Sequence, residues 1–194
     1  MTLTQDQAYE LFAANSPSKT ELEVKNKNVE VGDYIIHNNP NNLMEKYSVK
    51  PAKFLKLYHP EPIGVDENGL NLYEAKDTVV RKCVIVTSAV VDYMVDIGVN
   101  FGGLSQQELL NLCKGLTKTP CKKKGVVSAF RSTKSGELET HVLKSDNPLI
   151  FEFQQPLHWG EGTMPLKLND ALIVADDEVY RIAEQEFRRT YEIL

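Results

Sequence analysis

The stretch "QQPLHWGEG" places Gln154, His158, Trp159 and Glu161 within a few residues of one another. An imidazole and a carboxylate are the types that exchange protons as acid and base. Trp159 is the only tryptophan of the chain, and its indole is the kind of face on which a nucleobase or sugar stacks. The flanking glycines allow a ligand close to the backbone. A second candidate is "KGLTKTPCKKKG", the one basic run, which carries Lys114, Lys118, Lys122, Lys123 and Lys124. In a chain of net charge -5 it is where an anion would be drawn. A lysine ammonium binds phosphate as a point charge, so such a site discriminates little by geometry. The expectation is that a small anionic ligand touches Lys118, Lys122, Lys123 and Lys124, or Gln154, His158, Trp159 and Glu161. The plainer alternatives are a solvated surface loop for the lysines and a core plug for the tryptophan.

Other chemistries lack their spacing. Cys113 and Cys121 have seven residues between them, and His37, His59, His141 and His158 are scattered. Neither arrangement is that of a zinc site, and no metal or cofactor is expected. "GVNFGG" has glycines without the lysine and hydroxyl residue of a phosphate loop, and there is no G-x-S-x-G elbow. No catalytic residue is assigned. The reading is therefore a binding protein rather than an enzyme. The alternatives are an enzyme acting on a nucleotide-like substrate, through His158, Glu161 or a carboxylate of "ADDE", and a structural component of a virion or replication apparatus.

Composition sets the frame for these side chains. The chain has 194 residues, 42% hydrophobic and 25% charged, which predicts a packed core. The acidic balance argues against general nucleic-acid binding, and no aromatic residue interleaves with the lysines to stack single-stranded bases. Apolar runs such as "CVIVTSAVV" fall short of the roughly 20 residues that cross a bilayer. The first residues have neither the basic nor the apolar part of a signal peptide. Three cysteines, an odd number, read as reduced thiols in a cytoplasmic protein.

The elements follow from pattern. Residues 4–12 begin with Thr4 and Gln7 at capping-box spacing and predict a helix. "ELEV" and "VEVGDYIIHN" alternate as strands, with "KNKN" as the turn between them. "TVVRKCVIV" predicts a central strand buried on both faces. "TSAVVDYMVDIG" fits either a helix or a strand, with the helix preferred, and "LSQQELLNLCKG" predicts a helix with Ser105 and Glu108 as its capping box. "VVSAFRSTKSGELETHVL" reads as a hairpin. "PLIFEF" and "MPLKLNDALIVA" read as strands, and a last helix covers about 182–191. Cys83 and Cys113 fall at core positions.

One pattern occurs twice. Asp33, Tyr47, Phe54 and Tyr58 match Asp170, Tyr180, Phe187 and Tyr191, with Tyr-x6-Phe-x3-Tyr kept in both. The four-residue gap falls in the turn "NNPNNLM", where insertions disturb packing least. Each copy predicts a strand beginning at the aspartate, a return strand through the first tyrosine, and a short helix whose Phe and Tyr share one face. Pro51 suits the first helical position. The expected architecture is one α+β domain over 1–194, mainly antiparallel with a few short helices. Related hairpin-helix units at about 29–60 and 166–194 flank a unique middle at about 64–165.

"VGDYIIHN", "EKYSVKPAKF" and "LKLYHP" resemble a short module of bacteriophage and bacterial proteins, read as Gly-Asp-Tyr-Ile, Lys-Pro-x-x-Phe and a Tyr-Glu close. The first copy matches at Gly32, Asp33, Tyr34, Lys50, Pro51, Phe54 and Tyr58. The second is degenerate, with Asn169, Ala171 and Glu184 in place of the glycine, aromatic and proline. The module carries no agreed activity. The resemblance implies a small phage-type accessory protein in the host cytoplasm, engaging a host protein or sequestering an anionic small molecule.

Overall fold

The computed structural model describes residues 20–38, 45–156 and 162–194. They form an α+β fold dominated by antiparallel sheet, and the chain divides into two compact units. The first comprises Met1–Val79 and Lys123–Lys144, the second Val80–Lys122 and Ser145–Leu194. Along the chain come β1 (Thr20–Val29), β2 (Tyr34–His37), β3 (Tyr47–Val49), α1 (Pro51–Leu57), β4 (Gly64–Val65) and β5 (Asn71–Glu74). Next are β6 (Val80–Ile85), α2 (Ser88–Asp96), α3 (Gln106–Lys114), β7 (Thr119–Lys123), β8 (Val126–Arg131) and β9 (Gly136–Leu143). The last are β10 (Leu149–Gln154), β11 (Thr163–Lys167), β12 (Ala171–Val174), β13 (Val179–Ile182), α4 (Glu184–Thr190) and β14 (Tyr191–Ile193). The first unit holds a sheet of order β3-β2-β8-β5-β4 and the pair β1-β9; the second holds β13-β12-β6-β7-β14 and the pair β10-β11. The middle of the sequence thus supplies strands to both units. Among the described residues no helix is long and apolar enough to cross a membrane.

Each five-stranded sheet contains a hairpin that starts from a buried aspartate. Asp33 accepts the Glu30 N–H at 2.9 Å and returns its own N–H to the Glu30 carbonyl at 3.1 Å. Asp170 does the same with Lys167, at 2.9 and 3.1 Å. These tight turns force the preceding residue to positive φ, 91° at Gly32 and 69° at Asn169. Glycine and asparagine are the residues that take that conformation most readily. The strands then pair alike: Tyr34 faces Val49 and Ile36 faces Tyr47, while Ala171 faces Ile182 and Ile173 faces Tyr180.

Both return strands run straight into a seven-residue helix, from Lys50 (φ, ψ -66°, 147°) or Ala183 (-60°, 145°). Both helices stop where Tyr58 or Tyr191 returns to extended backbone, its N–H donated to Phe54 or Phe187. Pro51 opens α1 without losing an intrahelical bond. In α4, Glu184 and Glu186 lie early and Arg188 and Arg189 late, matching the helix dipole.

The helices close the apolar side of each sheet. Phe54 is fully buried, stacked on Tyr34 at 3.7 Å and edge-on to Tyr73 at 5.0 Å. Phe187 and Tyr191 stack at 5.2 Å over Cys83, Cys121, Ala171 and Ile173. Strand alternation sends Leu172 and Val84 to the opposite face, where they meet Met94, Leu109, Phe151, Phe153 and Met164. In the first unit that opposite face holds Val29, Ile35, Leu70 and Phe130.

The hairpins differ in how their outer edge is satisfied. Lys46 exchanges both backbone hydrogen bonds with His141 of β9, at 3.0 and 3.1 Å. In the second unit, Val179 exchanges both with the side-chain amide of Gln106, each at 3.0 Å. One carboxamide there takes the place of a peptide group. Gln106 begins α3, whose capping box is formed as expected, with Ser105 and Glu108 bonding each other's backbone.

Several elements depart from the sequence patterns. "KNKN" is not a turn: β1 passes through it, opposite β9, with register shifts between Leu22 and Val24 and between Val24 and Lys27. Bulges absorb the polar residues without ending the pairing. "VVSAFRSTKSGELETHVL" is not a paired hairpin, because β8 pairs with β2 and β5 while β9 pairs with β1. "TVVRKCVIV" is central, between β12 and β7, but only Cys83 and Val84 bury successive faces; Val80 and Lys82 are exposed. "MPLKLNDALIVA" is two strands parted by the turn at Asp170. The helix expected over 4–12 lies outside the described residues.

Truncating Phe54 to Ala is expected to cost roughly 3–5 kcal/mol, and a loss below about 1 kcal/mol in denaturant melts would show that α1 does not seal its sheet. The two aspartates should respond unequally. Asp170 bonds Arg181 at 2.6 Å with both side chains fully buried, whereas the Lys50 partner of Asp33 is 54% exposed. Asp170→Ala leaves a buried guanidinium without its carboxylate and should cost roughly 3–5 kcal/mol. Asp33→Ala should cost only about 1–2 kcal/mol. Equal losses would refute the difference.

Candidate functional site

The basic run is not a loop. Thr119–Lys123 is strand β7, and strand alternation sends adjacent lysines to opposite faces. Lys118 donates to the carbonyls of Cys113 at 2.8 Å and Leu116 at 3.2 Å, capping the C-terminus of α3. Lys122 lies 3.3 Å from the Glu192 carboxylate. Lys123 is buried, donates to the Tyr58 hydroxyl at 2.8 Å and sits 5.2 Å from that ring's centre. Lys124 is exposed. Gln154 ends β10 with its side chain exposed, and its carbonyl accepts from Gln106. His158, Trp159 and Glu161 lie outside the described residues.

A different polar cluster is assembled in the first unit, from segments far apart in sequence. His37 closes β2, Glu45 and Lys46 precede β3, Ser48 lies in it, and Thr140 and His141 belong to β9; all are buried. Ser128 of β8 sits opposite His37 in the ladder and donates to Asp66 at 2.6 Å. Asp66 also accepts the N–H groups of Asn68 and Leu70, both at 2.9 Å, which fixes its loop. The Tyr47 hydroxyl donates to Asn38 at 3.2 Å, and the His141 ring lies 3.6 Å from the Glu139 carboxylate. Sequence reasoning passed over this group because each member alone is an ordinary strand or turn residue. The one signal was a His-Asn pair at the end of an apolar strand.

The electrostatics favour the neutral form of the His37 imidazole. Burial first, and the Lys46 ammonium second, push the His37 imidazole down to about 4; the Glu45 carbonyl and Asp66 pull weakly the other way. His141 is lowered by burial and by Lys46, against Glu139, and Lys46 itself is lowered by burial. A base of pKa near 4 takes a proton poorly from a hydroxyl at neutral pH, and Ser128 already gives its proton to Asp66. The arrangement suits buried hydrogen bonding better than nucleophilic catalysis. Cys83, Cys113 and Cys121 are free and buried; burial pushes the Cys113 thiol up to about 11, away from reactivity. Among the described residues no group of three His, Cys, Asp or Glu side chains could hold a metal ion.

The histidines make stability depend on pH. His37 binds a proton in the unfolded chain near pH 6.5 but in the folded chain only near 4. Its contribution is therefore complete above pH 6.5 and is lost as pH falls from there to about 4. The loss should reach about 3 kcal/mol, with His141 adding a smaller share. Denaturant melts at pH 7 and pH 5 should show a smaller difference for His37→Gln than for the unaltered protein. An unchanged difference would mean that His37 is not held neutral by its surroundings.

Comparison of the chain with models of protein families, with curated proteins and with solved structures returns no match.

Proposed function

We propose that the chain is a small binding protein without catalysis, of the phage-type accessory kind its first hairpin resembles, and that it works by engaging another protein in the host cytoplasm. The two hairpin-helix segments are then two copies of one module, and the frame they build presents different surfaces. The supporting observation is the exposed apolar group on α2 and its turn, Val95, Ile97 and Phe101. Apolar side chains left exposed along one stretch of chain are material for a protein contact. Three of the four lysines that would attract an anionic small molecule are engaged instead: Lys118 on carbonyls, Lys122 beside Glu192 and Lys123 on Tyr58, while Lys124 is exposed.

Native mass spectrometry of the tagged full chain, purified gently from a bacterial host, tests this reading. The expected species is the chain with one host protein in fixed stoichiometry, reconstituted afterwards from the two purified components. A retained nucleotide or other anionic small molecule in place of a protein would overturn it. Turnover of such a molecule would favour the enzyme reading.

A further inference from the structure

We infer that Cys83 and Cys121 are a thiol pair that hydrogen peroxide converts to a disulfide and a small dithiol restores, so that the second unit carries a redox-sensitive clip between two strands. The inference is independent of what the chain binds. In the β6–β7 ladder Arg81 faces Cys121 and Cys83 faces Thr119. Cys83 and Cys121 are therefore diagonal neighbours, and strand alternation sends both to the face closed by Phe187 and Tyr191. Both are fully buried and carry free thiols. The Cys121 S–H donates to the Cys83 sulfur, so no side chain separates them. The third thiol, Cys113, packs with Val84 and Leu172 on the opposite face.

The neighbours of the pair favour a thiolate. Arg81 is two residues before Cys83, on the same face, and directly across the ladder from Cys121. One of its terminal nitrogens donates to the Tyr180 hydroxyl at 2.9 Å. Among the described residues its buried Nε–H has no hydrogen-bond partner. A guanidinium with a donor to spare stabilises an adjacent anionic sulfur. The shared proton also divides the roles. The hydrogen bond from Cys121 lowers the Cys83 thiol against the effect of burial, and the same bond, followed by burial, raises that of Cys121. Cys83 is thus the sulfur that attacks and Cys121 the one that resolves.

The geometry makes the bond reversible. Diagonal neighbours on one face stand about 7–8 Å apart, at the limit of what a relaxed disulfide spans. A disulfide formed there is strained, and strained disulfides are the readily reduced ones. Access comes through α4, which covers the pair with Phe187. A seven-residue helix holds its shape by packing rather than by itself, and its local opening admits a molecule as small as hydrogen peroxide. The Cys83 thiolate attacks one peroxide oxygen, the O–O bond breaks, and hydroxide leaves and takes the Cys121 proton as water. The Cys121 thiolate then displaces hydroxide from the Cys83 sulfenic acid, and that hydroxide takes up the proton first lost from Cys83. Two thiols and one peroxide become one disulfide and two waters, with the two sulfurs supplying both electrons.

Intact-mass analysis of the full chain tests this, after hydrogen peroxide treatment under native conditions and alkylation of the remaining thiols on denaturation. The expected product has lost two hydrogens, keeps one alkylatable thiol at Cys113, and yields a linked Cys83–Cys121 peptide. Dithiothreitol should return all three thiols. Cys113→Ala should form the bond at the rate of the unaltered chain. Arg81→Gln should slow it about 10-fold, as for a thiolate raised by about one pKa unit, and Arg81→Lys should restore most of the rate. Formation should outrun global unfolding, whose rate is read from denaturant jumps. Oxygen added to a cysteine without a link, a bridge through Cys113, three thiols left unchanged, or formation no faster than unfolding would each overturn the inference. So would an Arg81→Gln rate equal to that of the unaltered chain.

Discussion

A carboxylate buried at the foot of a strand organises each half of this chain. Asp33 and Asp170 each accept the N–H of the residue three positions earlier, and that bond reverses the chain into its hairpin. The same carboxylate reaches the returning chain, through Lys50 in one unit and through Arg181 and the Glu184 N–H in the other. One oxygen-bearing group therefore ties together turn, strand register and the start of the helix. A one-residue slip would put Ile36 and Ile173 on the wrong face, so an anchor outside the ladder adds to the hydrophobic pattern in fixing register.

Around this shared frame the units satisfy the same needs with different groups. Where Lys50 meets Asp33 at the surface, Arg181 meets Asp170 in the interior, where its planar fork suits a dry site better than a hydrated ammonium. Where β9 pairs with Lys46, the Gln106 amide pairs with Val179. Where Tyr34 stacks on Phe54, the smaller Ala171 stands in the corresponding strand and Phe187 stacks on Tyr191 instead. The demands are constant because unpaired backbone groups and unfilled apolar space are penalised alike in both sheets.

Local signals in the sequence translated well into structure and long-range ones did not. Pro51, the Ser105–Glu108 capping box and the Phe54–Tyr58 spacing were legible because each concerns neighbours within two helical turns. The aspartates and the residues before them were legible as a pattern, but their carboxylate bonds were not. "KNKN" misled because polar composition was taken for a turn, although pairing with β9 supplies bonds that override propensity. "STKSGE" is a connection, yet its flanking strands find partners far away in sequence, which no local pattern announces. The lysine run looked like a charged patch because spacing along a chain says nothing of which face each side chain takes. The His37 cluster draws on segments spread across about 100 residues of chain, so it had no motif to read.

Function is easier to place on what differs between the units than on what they share. The shared parts, aspartate, hairpin and helix, are consumed in holding each sheet together, and a residue with every bond satisfied internally has little left for a ligand. The first unit's distinctive feature is inward: a buried polar group around an imidazole kept neutral, with Ser128 already committed to Asp66. The second unit's α2 ends in a glycine turn, with Val95, Ile97, Asp92 and Asp96 exposed. Buried polar networks tend to specify a fold, while exposed apolar groups carry a free-energy penalty that only contact relieves.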